Sequence, residues 1–158
     1  MKRFLPALLI VSLFAIGCGK QKAEAFNKYM DKARAVVMEA NQHATKTASW
    51  FRGYNGKNGD KFKDEMAKKI KEMEGLKAKM AALSTPNAEI KKFQNIHVEM
   101  MGIFVGMYQV YGEMIADFSK AQSSMKKMQD YQKKLGKLAK EEEDLRQKYA
   151  KKHGLQAK

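Results

Sequence analysis

Apolar and small residues recur in alternating steps of three and four along most of the chain. This spacing places them on one side of an α-helix, which must then bury that side against other helices. A first stripe runs from Phe26 to Phe51, a second from Phe62 to Leu83, and a third starts at Ile90. β-branched residues are scarce, and only two prolines occur. The pattern predicts an all-α domain.

Two segments interrupt the stripes. Residues 53–59 concentrate glycine and asparagine, which tolerate positive φ, and predict an interhelical loop after which Asp60 can cap the second helix. Ser84-Thr85-Pro86 offers a hydroxyl N-cap and a proline at the first position of the third helix. The glycine segment has neither a G-K-[ST] phosphate motif nor the alternating carboxylates of a calcium loop, so we interpret it as a plain connection.

The chain after the third stripe leaves two architectures open. Apolar residues continue to Tyr149 with a slip in phase near Tyr131, and residues 119–124 contain neither glycine nor proline. Residues 86–152 therefore form either one very long helix or two helices joined by a turn near residues 119–124. We predict an antiparallel three- to four-helix bundle with coiled-coil-like long helices, whose last helix extends beyond the core as a basic C-terminal extension.

The amino-terminal segment differs from the rest of the chain. Lys2 and Arg3 precede an apolar run from Phe4 to Ile16, which has the length of a secretory h-region and is short for a spanning helix. Its end, Ala15-Ile16-Gly17-Cys18, resembles the lipobox of bacterial lipoprotein signal peptides, with alanine where leucine is more common. The resemblance implies cleavage before Cys18, a diacylglycerol thioether on that cysteine, and a fatty acid such as palmitate on the new amino group.

This resemblance divides the chain into a lipoprotein signal peptide (1–17), a lipidated tether (18–24) and a helical bundle domain (25–158). Several acyl chains anchor a protein stably, at ~0.8 kcal/mol per buried methylene. Gly19 stands where an aspartate often marks inner-membrane retention of Gram-negative lipoproteins. The resemblance therefore implies the bacterial cell envelope, with the outer membrane favoured. The competing interpretation is an ordinary signal peptide or uncleaved anchor with an incidental cysteine.

The chain is strongly basic. Its formal charge of +14 falls to +12 if Lys2 and Arg3 leave with the leader. Such a charge attracts polyanions by long-range, salt-sensitive forces. Because export makes nucleic acid an unexpected partner, we expect anionic glycans or lipid head groups. The candidate polyanion-binding residues are lysines of the C-terminal third: Lys126, Lys127, Lys133, Lys134, Lys137, Lys140, Lys148, Lys151 and Lys152.

A second resemblance depends on Lys158. With an acylated amino end, heptads and a carboxy-terminal lysine, the chain is similar to the major murein lipoprotein of enterobacteria, which is joined to peptidoglycan through its terminal lysine. The resemblance implies a peptidoglycan link at Lys158. The preceding residues, Gly154-Leu155-Gln156-Ala157, depart from the basic and aromatic ending of that protein.

No pattern typical of a cofactor, metal or catalytic site stands out. His97 lies on the apolar seam among methionines, where it is either a hydrogen-bonded core residue or an axial haem ligand, and the core residue is the simpler interpretation. The three histidines lack metal-ligand spacing. Gly102 and Gly106 form a G-x-x-x-G motif, which we interpret as close helix packing because charged residues interrupt the segment. We predict no cofactor, no metal and no enzymatic activity.

Two functions remain as hypotheses. The first is a membrane-anchored, noncatalytic envelope lipoprotein, a helical scaffold or adhesin-like module that presents a basic face to anionic envelope or surface polymers. The second is an envelope chaperone or assembly factor that holds unfolded envelope proteins with Met-rich helices, because the charge pattern is similar to that of the helical arms of periplasmic chaperones.

Overall fold

The computed structural model describes residues 14–15, 20–53 and 59–157. Helix α1 is Lys20–Arg52, α2 is Gly59–Ala81, α3 is Ala88–Ala116 and α4 is Ala121–His153, with a 3-10 turn at Phe118–Lys120 between α3 and α4. Strands β1 (Phe14–Ala15) and β2 (Gln156–Ala157) form a two-residue antiparallel pair. The four helices pack against each other as a bundle, which confirms the predicted all-α class.

The helix contacts show that α1 and α2 run antiparallel. Glu39 in the middle of α1 pairs with Lys79 near the end of α2, with 2.6 Å between Nζ and Oε1. Trp50 near the end of α1 stacks on Phe62 near the start of α2, with ring centroids 4.1 Å apart. The six residues 53–58 that connect the two helices are enough for such a reversal.

The last helix, α4, folds back along α3, which corrects the predicted extension beyond the core. Lys127 near its start bonds to Glu113 near the end of α3 at 2.9 Å, and Lys152 near its end bonds to Glu89 in the first turn of α3 at 2.6 Å. Residues 86–152 thus contain two helices. The physical reason is that α3 is apolar around most of its circumference and needs a fourth helix to cover it.

A polar side chain, rather than glycine or proline, makes the turn between α3 and α4. Asp117 ends α3 in an extended conformation with φ −151°. Its carboxylate accepts hydrogen bonds from the Ser119 N–H at 3.0 Å and from the Ser119 hydroxyl at 2.6 Å. Such local bonds compete with the helical backbone, so Asp117-Phe118-Ser119 breaks the helix just before the predicted segment.

The first helix begins earlier than predicted. Residues 20–24, assigned from the sequence to a flexible tether, belong to α1. Ala23 is completely buried and continues the apolar stripe one turn before Phe26. Burial of Ala23 stabilises the helical conformation of residues 20–24, whose polar composition had suggested a linker.

The other helix starts also differ in detail. Asn87 is the N-cap of α3, and its side chain accepts a hydrogen bond from the Ile90 N–H at 2.9 Å, in place of the predicted serine and threonine hydroxyls. Asparagine is among the best N-cap residues. Helix α2 begins at Gly59, so Asp60 lies in its first turn, where a carboxylate interacts favourably with the helix dipole.

Methionine is the most frequent residue among the described buried hydrophobic residues. Seven of the twelve methionines are buried: Met30, Met66, Met73, Met80, Met100, Met101 and Met128. Only Met38 and Met125 are largely exposed among the described residues. Unbranched thioether side chains adapt to irregular spaces between helices, so methionine can fill the gaps left between the aromatic and aliphatic residues of the core.

Three rings hold one end of the bundle together. Phe26 of α1 meets Phe93 of α3 edge-to-face at 5.0 Å and stacks on Tyr149 of α4 at 4.9 Å. Phe93 and Tyr149 lie 6.1 Å apart. We call this set the Phe26 junction. Its members come from three helices, and aromatic pairs in these arrangements contribute beyond their burial alone.

Close packing at Gly106 agrees with the interpretation of the G-x-x-x-G motif. A Cβ atom on Gly106 would lie 2.5 Å from the Tyr131 hydroxyl oxygen and 2.7 Å from Cζ of the same ring. Gly102 lies against the end of the Lys77 side chain, where a Cβ would have ordinary contacts of 3.5 Å to Nζ and 3.6 Å to Cε. Gly106 therefore allows α4 to approach α3.

We predict that Gly106→Ala destabilises the protein by ~1–3 kcal/mol, because the added methyl must displace a ring on the neighbouring helix. Gly136→Ala is the matched control, since nothing lies within 4 Å of a Cβ there. The control should gain ~0.5–1 kcal/mol from helix propensity. Free energies of unfolding from urea titrations test this difference in sign. Equal gains in both variants would contradict the close contact.

Candidate functional site

The nine candidate lysines of α4 are all exposed. The buried residues of this helix are Ser124, Met128, Leu138, Glu142 and Tyr149. The lysines lie at other positions of the helix, on the side turned away from the core and on the flank beside α3. We call these nine residues the α4 lysine face.

Most of this face has no carboxylate partner. Lys127 and Lys152 pair with Glu113 and Glu89 of α3. The other seven lysines have no carboxylate oxygen within 4.0 Å among the described residues. Their ammonium groups are therefore available to an anionic partner.

Residues 141–144 of α4 are four consecutive acidic residues, and they differ in exposure. Glu141 and Asp144 are exposed beside the lysines, whereas Glu142 is only 5% exposed. Burial raises the pKa of Glu142, and the nearby Arg146 guanidinium partly offsets this. Because Glu142 points into the bundle, it neutralises the lysine face less than the sequence suggests.

A surface groove of about 590 Å³ separates α3 from α4. Its charged lining residues are four lysines and three acidic residues: Lys92, Lys137, Lys140, Lys148, Glu99, Glu141 and Asp144. The lining contains groups of both signs, so the groove provides no uniformly basic pocket for a small anion. Any anion binding by the α4 lysine face is expected on the open surface.

Three contacts bring the start of α1, the start of α3 and the end of α4 to the same end of the bundle. The Tyr149 hydroxyl donates to the backbone carbonyl of Lys22 at 3.0 Å. Glu89 accepts from Lys152 at 2.6 Å and lies 2.9 Å from Nε2 of His153. The two glutamate bonds lower the pKa of Glu89. We call this the anchor end, because α1 starts there only two positions after Cys18, the predicted lipidation site.

His97 is buried in the bundle interior and hydrogen-bonded. Its Nδ1 and the Tyr29 hydroxyl of α1 lie 2.8 Å apart, and the two rings stack. Burial lowers the pKa of His97 to about 4 and, with the nearby Glu142 carboxylate, raises that of Tyr29. His97 Nε2 has no hydrogen-bond partner in the described part of the chain. The pairing with Tyr29 agrees with the interpretation as a core histidine.

The three histidines do not converge on one site. Within residues 14–15, 20–53 and 59–157, no group of three or more histidine, cysteine or acidic residues is placed to hold a metal ion. His97 uses one ring nitrogen for Tyr29, and His43 and His153 lie on other helices with carboxylate partners.

A polar connection that the sequence did not reveal joins three helices and extends from the partly buried Tyr108 hydroxyl to the exposed Glu72. His43 of α1 lies 2.7 Å from Glu72 of α2 through Nε2 and 3.1 Å from the Tyr108 hydroxyl of α3 through Nδ1. Burial raises the pKa of Tyr108 to about 12. Because Tyr108 stays neutral and its hydroxyl meets a histidine that also contacts α2, we interpret the set as a structural link between helices.

Gln94 is a buried polar residue that also has a structural role. Its Nε2 lies 3.1 Å from the Met80 carbonyl, 3.0 Å from that of Ala81 and 2.6 Å from that of Leu83. The last carbonyls of a helix lack intrahelical partners. Gln94 therefore closes the end of α2, a role that no local sequence signal revealed.

The remaining predicted positions lie outside the described residues. These are the lipidation candidate Cys18, the centre of the glycine-rich loop at residues 54–58, and the peptidoglycan candidate Lys158. Among the helices that are described, none combines the length and apolar character needed to cross a membrane.

The fold and surface together define an antiparallel four-helix bundle with a lysine-rich outer face on its last helix. Comparison with protein-family models, with curated proteins and with solved structures finds no match to this chain.

Proposed function

We propose that this protein is a membrane-anchored, noncatalytic lipoprotein of the bacterial cell envelope. In this proposal the bundle is a helical scaffold that presents the α4 lysine face to anionic envelope or surface polymers. The lipobox-like residues ending at Cys18 support the anchor. The outer membrane is the proposed location.

The observation that carries the binding role is the exposure of the α4 lysine face. Seven of its nine lysines lack a carboxylate partner within 4.0 Å among the described residues. The nine exposed lysines outnumber the exposed acidic residues of α4, which are Asp130, Glu141 and Asp144. Such an excess of positive charge on one helix creates a field that attracts polyanions. The buried histidine and tyrosine contacts at His97 and His43 support the scaffold role, because they join helices instead of lining a cleft.

The chaperone alternative has less support in the structure. It depends on methionines that are available to unfolded clients, but seven of them are in the core. The two largely exposed ones, Met38 and Met125, lie on different helices. A holdase would have to use another apolar surface.

We expect Cys18→Ser to abolish acylation and stable membrane attachment when the full chain is expressed in a bacterium. A hydroxyl at this position cannot form the thioether, and the remaining bundle has no described membrane-spanning helix. Intact-mass spectrometry and fractionation of membranes measure the result. Gly19→Ser is the matched control, since it adds the same hydroxyl but keeps the thiol. An acylated, membrane-bound Cys18→Ser protein would contradict the anchor.

A variant with four lysines of the α4 lysine face changed to glutamine should bind an immobilised anionic polysaccharide about ten-fold more weakly at low salt. The four are Lys126, Lys133, Lys137 and Lys140. The ten-fold loss assumes that each contact contributes ~0.3–0.5 kcal/mol. The control changes the same charge elsewhere, with glutamine at Lys28, Lys32, Lys46 and Lys71, which are exposed on α1 and α2. Binding of the unchanged protein should fall as salt rises. Equal losses in the two variants would show that net charge, and not the α4 lysine face, attracts the polymer.

A further inference from the structure

The two ends of the bundle differ in charge. The anchor end comprises residues 20–24, 82–92 and 148–155, where seven lysines face only two carboxylates, Glu24 and Glu89. We call these lysines the anchor-end cluster: Lys20, Lys22, Lys91, Lys92, Lys148, Lys151 and Lys152. All seven are exposed.

The opposite end is close to balanced. Described residues 48–53, 59–65 and 112–127 contain six basic residues (Arg52, Lys61, Lys63, Lys120, Lys126 and Lys127) and five acidic ones (Asp60, Asp64, Glu65, Glu113 and Asp117). Several of these are paired with each other, such as Lys63 with Asp60 and Lys120 with Asp117. The excess of positive charge at the anchor end is therefore a property of that end and not of helix termini in general.

The structure holds the three lysine segments together. The bond from the Tyr149 hydroxyl to the Lys22 carbonyl fixes the last turn of α4 beside the first turn of α1, and Glu89 connects α4 to α3. The Phe26 junction lies directly beneath and contains Tyr149 itself. The cluster is thus displayed on a packed end and not on a loose tail.

Cys18 places this end at a bilayer. A single residue, Gly19, separates Cys18 from Lys20, the first residue of α1. Even when fully extended, that connection spans at most ~7 Å. The Debye length at physiological ionic strength is ~8 Å, so charges at the anchor end interact with a membrane surface through little screening.

We infer that the anchor-end cluster binds the anionic phospholipid head groups of the membrane that holds the acyl chains. This inference depends on the proposed lipid anchor and specifies a partner for the basic surface next to it. Each lysine near an anionic bilayer contributes ~1 kcal/mol. The acyl chains attach the protein to the membrane, and the lysines hold the anchor end of the bundle against the head groups.

Lysine labelling of the full-length acylated protein in vesicles tests the inference. One preparation contains phosphatidylcholine only, and in the other phosphatidylglycerol replaces part of it. An amine acetylating reagent is added, and mass spectrometry measures modification at each lysine. We expect anchor-end lysines to react about five-fold more slowly on the anionic vesicles, the fold-change that corresponds to ~1 kcal/mol each. Lys61 and Lys126 at the opposite end should react equally in both.

Two charge-matched variants separate the cluster from net charge. The first changes Lys91, Lys92, Lys148 and Lys151 to glutamine and should remove the protection of Lys20 and Lys22. The second changes Lys126, Lys133, Lys137 and Lys140, which are farther along α4, and should leave that protection intact. Protection in the unchanged protein should also disappear at 1 M salt, where the Debye length is ~3 Å.

The outcomes distinguish this inference from the proposed anchor. A chain that carries no acyl mass and does not float with phosphatidylcholine vesicles overturns both. A chain that floats with both vesicle types but shows equal labelling on them overturns the lipid partner alone. Protection by a soluble anionic polysaccharide, without protection by phosphatidylglycerol, also overturns the lipid partner and assigns the cluster to glycan.

Discussion

Phe26→Ala should reduce the free energy of unfolding by ~3–5 kcal/mol, the usual effect of removing a fully buried aromatic ring. Phe26 has no exposed surface, and its ring touches Phe93 and Tyr149 on two other helices. Removing it leaves a cavity at the point where α1, α3 and α4 meet. Because domains of this kind have a total stability of ~5–15 kcal/mol, the loss is a large part of the whole.

Urea titration of the full chain measures this effect. Met125→Ala is the control, since Met125 is 61% exposed and its truncation should change stability by less than ~0.5 kcal/mol. Hydrogen exchange adds a local readout, because the amides of α1 next to the junction should lose more protection than those near the opposite end. A Phe26→Ala protein as stable as Met125→Ala would contradict the fourth-helix packing described here.

His97 should make the bundle lose stability between pH 6.5 and pH 4. Burial favours the neutral ring in the folded state, with a pKa of about 4, whereas the unfolded ring has the ordinary value of 6.5. In this window the unfolded chain binds the proton and the folded chain does not, so stability falls as the pH falls. The difference corresponds to ~3 kcal/mol at full extent.

The variant His97→Gln isolates this contribution. Glutamine can still bond with the Tyr29 hydroxyl but does not titrate, so its stability should change less between pH 6.5 and pH 4. Glu142 acts in the opposite direction, because its raised pKa favours protonation of the folded state as the pH falls. Both proteins contain Glu142, and the difference between their urea-derived stabilities removes its effect. Parallel pH profiles would exclude His97 as the acid-sensitive group.

Phe26 and His97 show what the spacing of apolar residues can and cannot predict. Phe26 and His97 were both assigned to apolar seams from their spacing, and both are buried. Their partners could not be assigned in the same way. Tyr29 and His97 are separated by 68 positions in the chain, and Tyr149 and Lys22 by 127. Periodicity specifies which side of a helix is buried but not which helix covers it.

The errors at helix ends have a similar origin. Residues 20–24 have a polar composition typical of a linker, yet the buried Ala23 is enough to make them helical in the folded bundle. The turn at Asp117 has a local signal, since aspartate followed two residues later by serine favours a turn. The continuous apolar stripe across this segment concealed it.

For the candidate site, too, the sequence predicted what depends on helical spacing and not what depends on contacts between helices. The exposed α4 lysine face follows from helical spacing alone, because its members avoid the seam positions. The burial of Glu142 within an acidic block does not follow from spacing, because neighbouring glutamates look alike in sequence. Gln94 and the set around His43 are also invisible locally, since each acquires its partners only when three helices come together.

By itself the sequence determined that this is an all-α, strongly basic chain with long amphipathic helices and a lipobox-like cysteine ahead of them. These properties depend on local spacing and composition, which each segment carries on its own. The tertiary structure alone decided that the fourth helix returns along the third and brings its lysine-rich end beside the start of α1. That choice depends on covering the apolar surface of α3, and such burial exists only when the helices are packed together.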